Sequence, residues 1–314
     1  MSPRRLGLAL LLAAWPSVSP AHAEKVTFSF APSAGRRYLV EEISQQTSKV
    51  AAKREDLVIS GRSTMEIARD GQRWAIRLHV DSLLVTKDGA TLDSPMFAAI
   101  RGSRAIQVIR PDGGFDHLEG ARALYDRMLA AASGEERERL LDRGKAPLDT
   151  SERASWYERV EVFAGQTLEL DRDYFFESAY PVGGDGWVPH QVLFRLGPWV
   201  ETPIGRLLKV SLAYVADARR QVPAAQPVVS RIASGFTPRA LRPIASDVTL
   251  EGAGWRLIDP ATLTVLQEQI VHRLRQPLRV DESLGLTLTL VDQVDYKLTP
   301  VAPPGPHSDQ EKKP

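Results

Sequence analysis

Residues 57–86 read LVISGRSTMEIARDGQRWAIRLHVDSLLVT. Trp74, Ile76, Leu78 and Val80 alternate with Ala75, Arg77, His79 and Asp81, while Leu57, Ile59, Met65 and Ile67 keep one parity upstream. A period of two is the signature of a strand with one dry face and one wet face. Between the two runs, Arg69-Asp70-Gly71-Gln72 is turn chemistry, so the stretch predicts a long β-hairpin over 57–69 and 73–86.

The same pattern recurs outward from this hairpin. Val26, Phe28 and Phe30 alternate with polar neighbours; Val188, His190, Val192, Phe194 and Leu196 share one face, and so do Leu208, Val210, Leu212 and Tyr214. Leu284, Leu286, Leu288 and Leu290 continue in register into Val294, Tyr296 and Leu298. Many long, cleanly alternating strands indicate an antiparallel sheet with one face on a core. Long twisted strands curl, so a curved sheet or half-barrel is expected. Helices are confined to mid-chain: a short one over 94–100 opened by Ser94 and Pro95, an amphipathic one over 118–132 carrying Leu124 and Met128, and one opened by Asp149 and Glu152 with Trp156, Val160 and Phe163 along one face. The expected fold class is therefore α+β: a long-stranded antiparallel sheet with a few helices packed on one side.

The N-terminus reads as an export signal. Arg4 and Arg5 precede a short apolar run, and Ala21-His22-Ala23 supplies a small-x-small cleavage pattern, so the mature chain is expected to begin at Glu24 and to be periplasmic or secreted. Nine apolar residues are too few to span a bilayer, and no later stretch is long and apolar enough, so no transmembrane segment is expected in the mature chain. The expected organisation is a signal peptide over 1–23, a β-rich domain over 24–299, and a disordered tail over 300–314 rich in proline. Gly71-Gln72-Arg73-Trp74 and Gly252-Ala253-Gly254-Trp255 echo each other and raise a division into similar halves, about 24–165 and 166–299.

Composition removes several function classes. There is no cysteine, so disulfides, thiolate metal sites and a cysteine nucleophile are excluded. With 40 basic and 39 acidic residues, and two of the basic ones in the leader, no cationic excess remains to favour nucleic acid. The five histidines past the leader, at 79, 117, 190, 272 and 307, lie more than four residues apart, which leaves no helix-face zinc pair. His79 and His272 read as solvated, and His190, on the apolar parity of its strand, as a core histidine. No G-x-S-x-G elbow and no phosphate-cradling glycine motif is present. Gly183-Gly184-Asp185-Gly186 and Pro111-Asp112-Gly113-Gly114 read as loops. No catalytic residue, metal or cofactor is expected.

The leader, the tyrosine-bearing Gly35-Arg36-Arg37-Tyr38 that opens a long strand, the long hairpin, the mid-chain helices and Leu257-Ile258-Asp259-Pro260-Ala261-Thr262 before another long strand resemble exported bacterial β-rich proteins. Their layout is similar to the periplasmic lipoprotein carriers and related lipid-binding half-barrels. The resemblance implies an incomplete barrel whose concave apolar face, covered by helices, accepts an acyl chain or another hydrophobic ligand; it carries no catalytic residue to this sequence. If the sheet curls around such a ligand, Trp74, Ile76, Leu78, Leu208, Val210 and Leu212 form one wall, and the helix bearing Leu124 and Met128 closes the mouth. Three functions compete on these readings. They are a carrier or sensor of a hydrophobic ligand, an envelope interaction or assembly protein using the proline-rich 217–245 segment as a docking arm, and an enzyme whose residues converge only in three dimensions. A continuous apolar cavity of several hundred Å³ on the enclosed face distinguishes the first.

Overall fold

The structure, a computed structural model, describes residues 24–143, 146–182, 186–232, 236, 238, 248–279 and 285–301; the leader, residues 302–314 and most of the 233–247 stretch lie outside it. In the N-terminal half run β1 (Lys25–Thr27), β2 (Arg37–Val50), β3 (Lys53–Asp70), β4 (Arg73–Lys87), β5 (Ala90–Thr91), helix α1 (Pro95–Ile100), β6 (Arg104–Ile109) and β7 (Phe115–Glu119). Helices α2 (Ala121–Ala131), α3 (Gly134–Arg143) and α4 (Ala146–Trp156) follow, and α4 continues into a π-helical turn, Tyr157–Glu161. The second half holds β8 (Thr167–Glu169), β9 (Asp173–Val182), β10 (Gly186–Thr202), β11 (Gly205–Val215), α5 (Ala218–Gln221), β12 (Gln226–Pro227), β13 (Thr249–Asp259), β14 (Thr264–Arg279) and β15 (Gly285–Val301).

One sheet takes the order β12-β9-β10-β11-β13-β14-β15-β2-β3-β4-β6-β7, with β5 on β4, and β1 pairs β8 in a separate ribbon. Every pairing in the large sheet is antiparallel except β12 with β9, and the sheet does not close into a barrel. Two meanders meet where the last long strand pairs the first: Leu298 lies opposite Val40, and Tyr296 opposite Glu42. The predicted hairpin forms with Asp70 opposite Arg73, and Gly71 supplies the positive φ, 58°, that its tight turn needs. The α+β class and the long curved-sheet architecture are thus those expected from the strand periodicity.

Bulges and prolines follow one logic. Asp81 is an extra residue on β4, between the pairs Arg62 with Ser82 and Ser63 with Val80. The buried parity therefore passes from Trp74 and Ile76 to Val85, leaving Leu84 exposed. Gly197 and Pro198 occupy the register shift of β10 between Leu196 and Trp199. Pro189, Pro277 and Pro300 each lie where one neighbouring strand has already ended, so the missing N–H costs no ladder bond. Pro300 and Val301 pair Tyr38 and Arg37; the C-terminal strand thus reaches two residues into the stretch expected to be tail.

Other boundaries moved as well. Leu118 belongs to β7, and the helix expected from it begins at Ala121, after Gly120 at φ 84°. Asp149 and Glu152 do not form a capping box; Asp149 accepts from the Leu118 N–H (2.9 Å) and Glu152 from Gln107 Nε2 (2.8 Å), tying α4 to β7 and β6. Gly252–Trp255 lies inside β13, whereas Gly71–Trp74 makes a turn, so the two echoing segments do different structural work.

Glycine on the inner face of β13 is a packing requirement. A Cβ on Gly254 would stand 2.4 Å from the Gln269 carbonyl oxygen and 2.9 Å from the Ile270 Cα, and one on Gly252 2.6 Å from the Val271 oxygen. Backbone cannot yield as a flexible side chain would. By contrast, a Cβ at Gly61 on β3 meets nothing closer than 3.7 Å. Gly254→Ala is expected to destabilise by about 2 kcal/mol or more, and Gly61→Ala to be neutral or mildly stabilising, in urea unfolding. Equal midpoints for the two variants would contradict the close strand approach at β13.

Candidate functional site

Two apolar clusters flank the inner face. The larger one gathers Phe28, Phe163, Phe176 and Phe194 with Leu208, Val210 and Leu212 of β11. The smaller gathers Tyr38, Met65, Ile67, Trp74 and Ile76 from β2, β3 and β4 with Phe115. The wall expected from sequence therefore divides. Leu208 and Val210 are 0% exposed and Leu212 is 5% exposed inside the filled cluster, because aromatic rings occupy the space over β11. Ile76, Leu78 and Leu124, in contrast, line a cavity of about 330 Å³. Trp74 is packed at its side, edge-on to Phe30 at 6.4 Å, and Met128 is half-buried on α2 and not in the lining.

This cavity lies between β2, β3, β4 and β6 on one side and α4 with its π-helical turn on the other. Val40, Met65 and Leu298 add to the aliphatic wall, and Trp156, fixed by its indole N–H donating to Gly113 O at 2.8 Å, closes one side. Leu263, at φ 57° in the β13–β14 turn and 2% exposed, reaches the same space. Asp259 organises that turn by accepting from the Ala261 N–H (2.9 Å) and the Thr262 hydroxyl (2.9 Å). The cavity's polar lining comprises Glu42, Gln107, Glu152 and Arg159 with a few hydroxyl groups.

Arg159 and Ser155 also border a second space of about 200 Å³, and Glu158, Arg256, Glu268, His272 and Asp292 stand around this one. Cross-strand register creates it: Arg256 on β13 faces Glu268 on β14, which faces Tyr296 on β15. Arg256 and Glu268 are each 2% exposed and pair at 2.9 Å, and Arg159 donates from Nε and Nη2 to Glu268 Oε1 at 3.2 and 2.6 Å. Burial pushes the Glu268 carboxyl up, but the two guanidinium groups outweigh that and hold it below the ordinary range. Arg256 Nη1 also donates to the Glu158 carbonyl at 2.7 Å. The wider π turn brings Glu158 and Arg159 together onto the sheet.

Glu158 accepts from the Ser178 hydroxyl and stands 3.6 Å from His190 Nε2. Burial pushes its carboxyl up, yet His190, Ser178 and Arg256 together bring it down to about 2. His190 is buried as expected, with Nδ1 3.2 Å from Val188 O, but the structure supplies the acid and the serine that sequence order did not reveal. These three do not make a nucleophile–base pair, because the serine hydroxyl donates its proton to the carboxylate and not to the imidazole. Among the described residues no group of three or more His, Asp or Glu side chains is arranged to hold a metal.

His272 corrects the sequence reading most sharply. Expected in solvent, it sits on the inner face between Tyr214 (4.3 Å between centroids) and Tyr180 (4.9 Å), and both of its ring nitrogens are buried without a hydrogen-bond partner. Asp292 nearby is engaged by Ser44 and Tyr180. Burial lowers the imidazole to about 4, so it is neutral in the fold at pH 7. The signal for this placement was its even parity with Ile270 and Leu274, obscured by the arginines at 273 and 275.

No protein-family model matches the chain, and no curated protein matches it. Among solved structures, it is similar to a Bacteroides fragilis protein described as exported and of YmcC-like fold. That alignment has TM-score 0.23 and 11% identity over 87% of this chain and 99% of that one. Pseudomonas aeruginosa OpdQ aligns at TM-score 0.23 and 8% identity over 86% and 100%, and a chain of the Pseudomonas aeruginosa MucA/MucB complex at 0.14 and 15% over 82% and 88%. Scores this low carry no role from those proteins to this one. No helix among the described residues is long and apolar enough to cross a membrane.

The titration of His272 has a measurable sign. Its folded value lies below its ordinary 6.5, so the unfolded chain takes up the proton first and stability falls as pH drops from 6.5 to about 4. Glu158, depressed from 4.5 to about 2, adds a further loss below pH 4.5. His272→Phe, whose larger ring has the adjoining space to enter, is expected to remove the upper window. Its melting temperature should fall less between pH 6.5 and 4 than the parent's, and parallel curves would show the imidazole to be solvated.

Proposed function

We propose that this chain is an exported, non-catalytic protein of the bacterial envelope that holds a hydrophobic ligand between the N-terminal half of its sheet and the α4 cover. The observation that carries this reading is the cavity of about 330 Å³ lined by Ile76, Leu78, Leu124, Val40 and Met65. Its size lies at the lower end of the range of small-molecule sites, roughly 300–1,000 Å³, which suits a single acyl chain or a small ring system better than a diacyl lipid. Burial of a ten-carbon chain gains about 8 kcal/mol, and the cost of association leaves binding at micromolar strength or weaker. Export rests on the leader and cleavage pattern of residues 1–23. In the competing reading of a proline-rich docking arm, the described part of that arm would be free. Instead, Val229 accepts from Gln166, Ser230 donates to the Glu161 carbonyl and Arg231 donates to Gly165 O, on the π-helical segment and the turn that follows it.

Titration of delipidated protein with a fluorescent single-chain fatty probe tests the reading. Saturable binding is expected, and Leu78→Trp or Leu124→Trp, each filling the cavity from a different side, should weaken it about tenfold or more with the melting temperature held. Absence of saturable binding to the parent, or binding unaffected by both substitutions, would overturn it.

A further inference from the structure

We infer, resting on the ligand-binding reading above, that the ligand is an amphiphile whose polar end donates hydrogen bonds, best a primary ammonium, and is not a carboxylate or a phosphate. The charged groups lining the apolar cavity are Glu42, Glu152 and Arg159. Arg159 is already committed: two of its nitrogens donate to Glu268, and its guanidinium lies 5.0 Å over the Tyr296 ring. Glu152 has one oxygen engaged by Gln107. Glu42, on the inner face beside Tyr296, keeps accessible surface at the cavity and makes no ion pair or hydrogen bond among the described residues.

An anionic head entering here would meet two carboxyl groups, with the one lining cation held by a third. A head with N–H or O–H donors would find acceptors there without a compensating cation. The electrostatics agree. Burial pushes the carboxyls of both Glu42 and Glu152 above their ordinary range, and the attraction of Arg159 does not offset it. An ammonium would supply the missing counter-charge and stabilise both ionised forms.

The test is isothermal titration of the full mature chain at pH 7 with decylamine, decanol and decanoate, each below its micellar concentration. Decylamine is expected to bind about tenfold or more tighter than decanoate, with decanol between them. The double variant Glu42→Gln, Glu152→Gln should bring amine and carboxylate to within about twofold of each other while decanol binding persists. Decanoate binding as tightly as decylamine, or an amine preference that survives the double variant, would overturn this inference and leave the hydrophobic-ligand reading standing. Saturable binding by none of the three would overturn both.

Discussion

Two guanidinium groups sharing one carboxylate on the dry side of a β-sheet set the terms for the rest of this molecule. Arg256 and Glu268 are cross-strand partners and nearly fully buried, and Arg159 arrives from the helical cover. Taking these charges out of water is expensive, and their mutual attraction repays it only if all three are in place. The arrangement therefore acts as a register device. It admits the α4–π segment over the sheet in one position, because any slide of a residue strands a charge in a low-dielectric interior.

That fixed position divides the enclosed face. On the β9–β11 side the cover brings Phe163 and Tyr157 down onto Phe194 and Phe176, and the space fills with rings. On the β2–β6 side the wall of Met65, Ile76 and Leu78 is interrupted by the short side chains of Ser63 and Ala105, and a cavity remains before Trp156 and Leu124. Gly252 and Gly254 belong to the same economy of space, since side chains there would collide with β14 and push apart the strands that carry Arg256 and Glu268.

Much of this was legible from periodicity, and the parts that were not have physical reasons. The hairpin at 57–86 and the Leu288–Leu298 strand announce themselves because each keeps one parity through many residues. Parity arguments stop at a bulge, so the Trp74–Val80 alternation does not extend to Val85, which is buried once Asp81 intervenes. The polar interior was invisible for a different reason. On β14 the inner residues Glu268, Ile270, His272 and Leu274 alternate with equally mixed outer ones, and nothing local says that Glu268 has a guanidinium waiting 12 positions upstream and another more than 100 away. Of the expected ligand wall, Ile76 and Leu78 share the cavity with Leu124, whereas Leu208, Val210 and Leu212 do not; alternation marks a residue as inward-facing but is silent on whether anything fills the space in front of it.

A double-mutant cycle on Arg159 and Glu268 measures the coupling between the cover and the sheet directly. Unfolding free energies of Arg159→Gln, Glu268→Gln and the pair should show the glutamate variant destabilised by about 3–5 kcal/mol. The two substitutions should be non-additive by more than about 1 kcal/mol, because the first change removes what the second would break. Additive effects, or a Glu268→Gln protein as stable as its parent, would mean that the buried charges do not hold the helical cover in place.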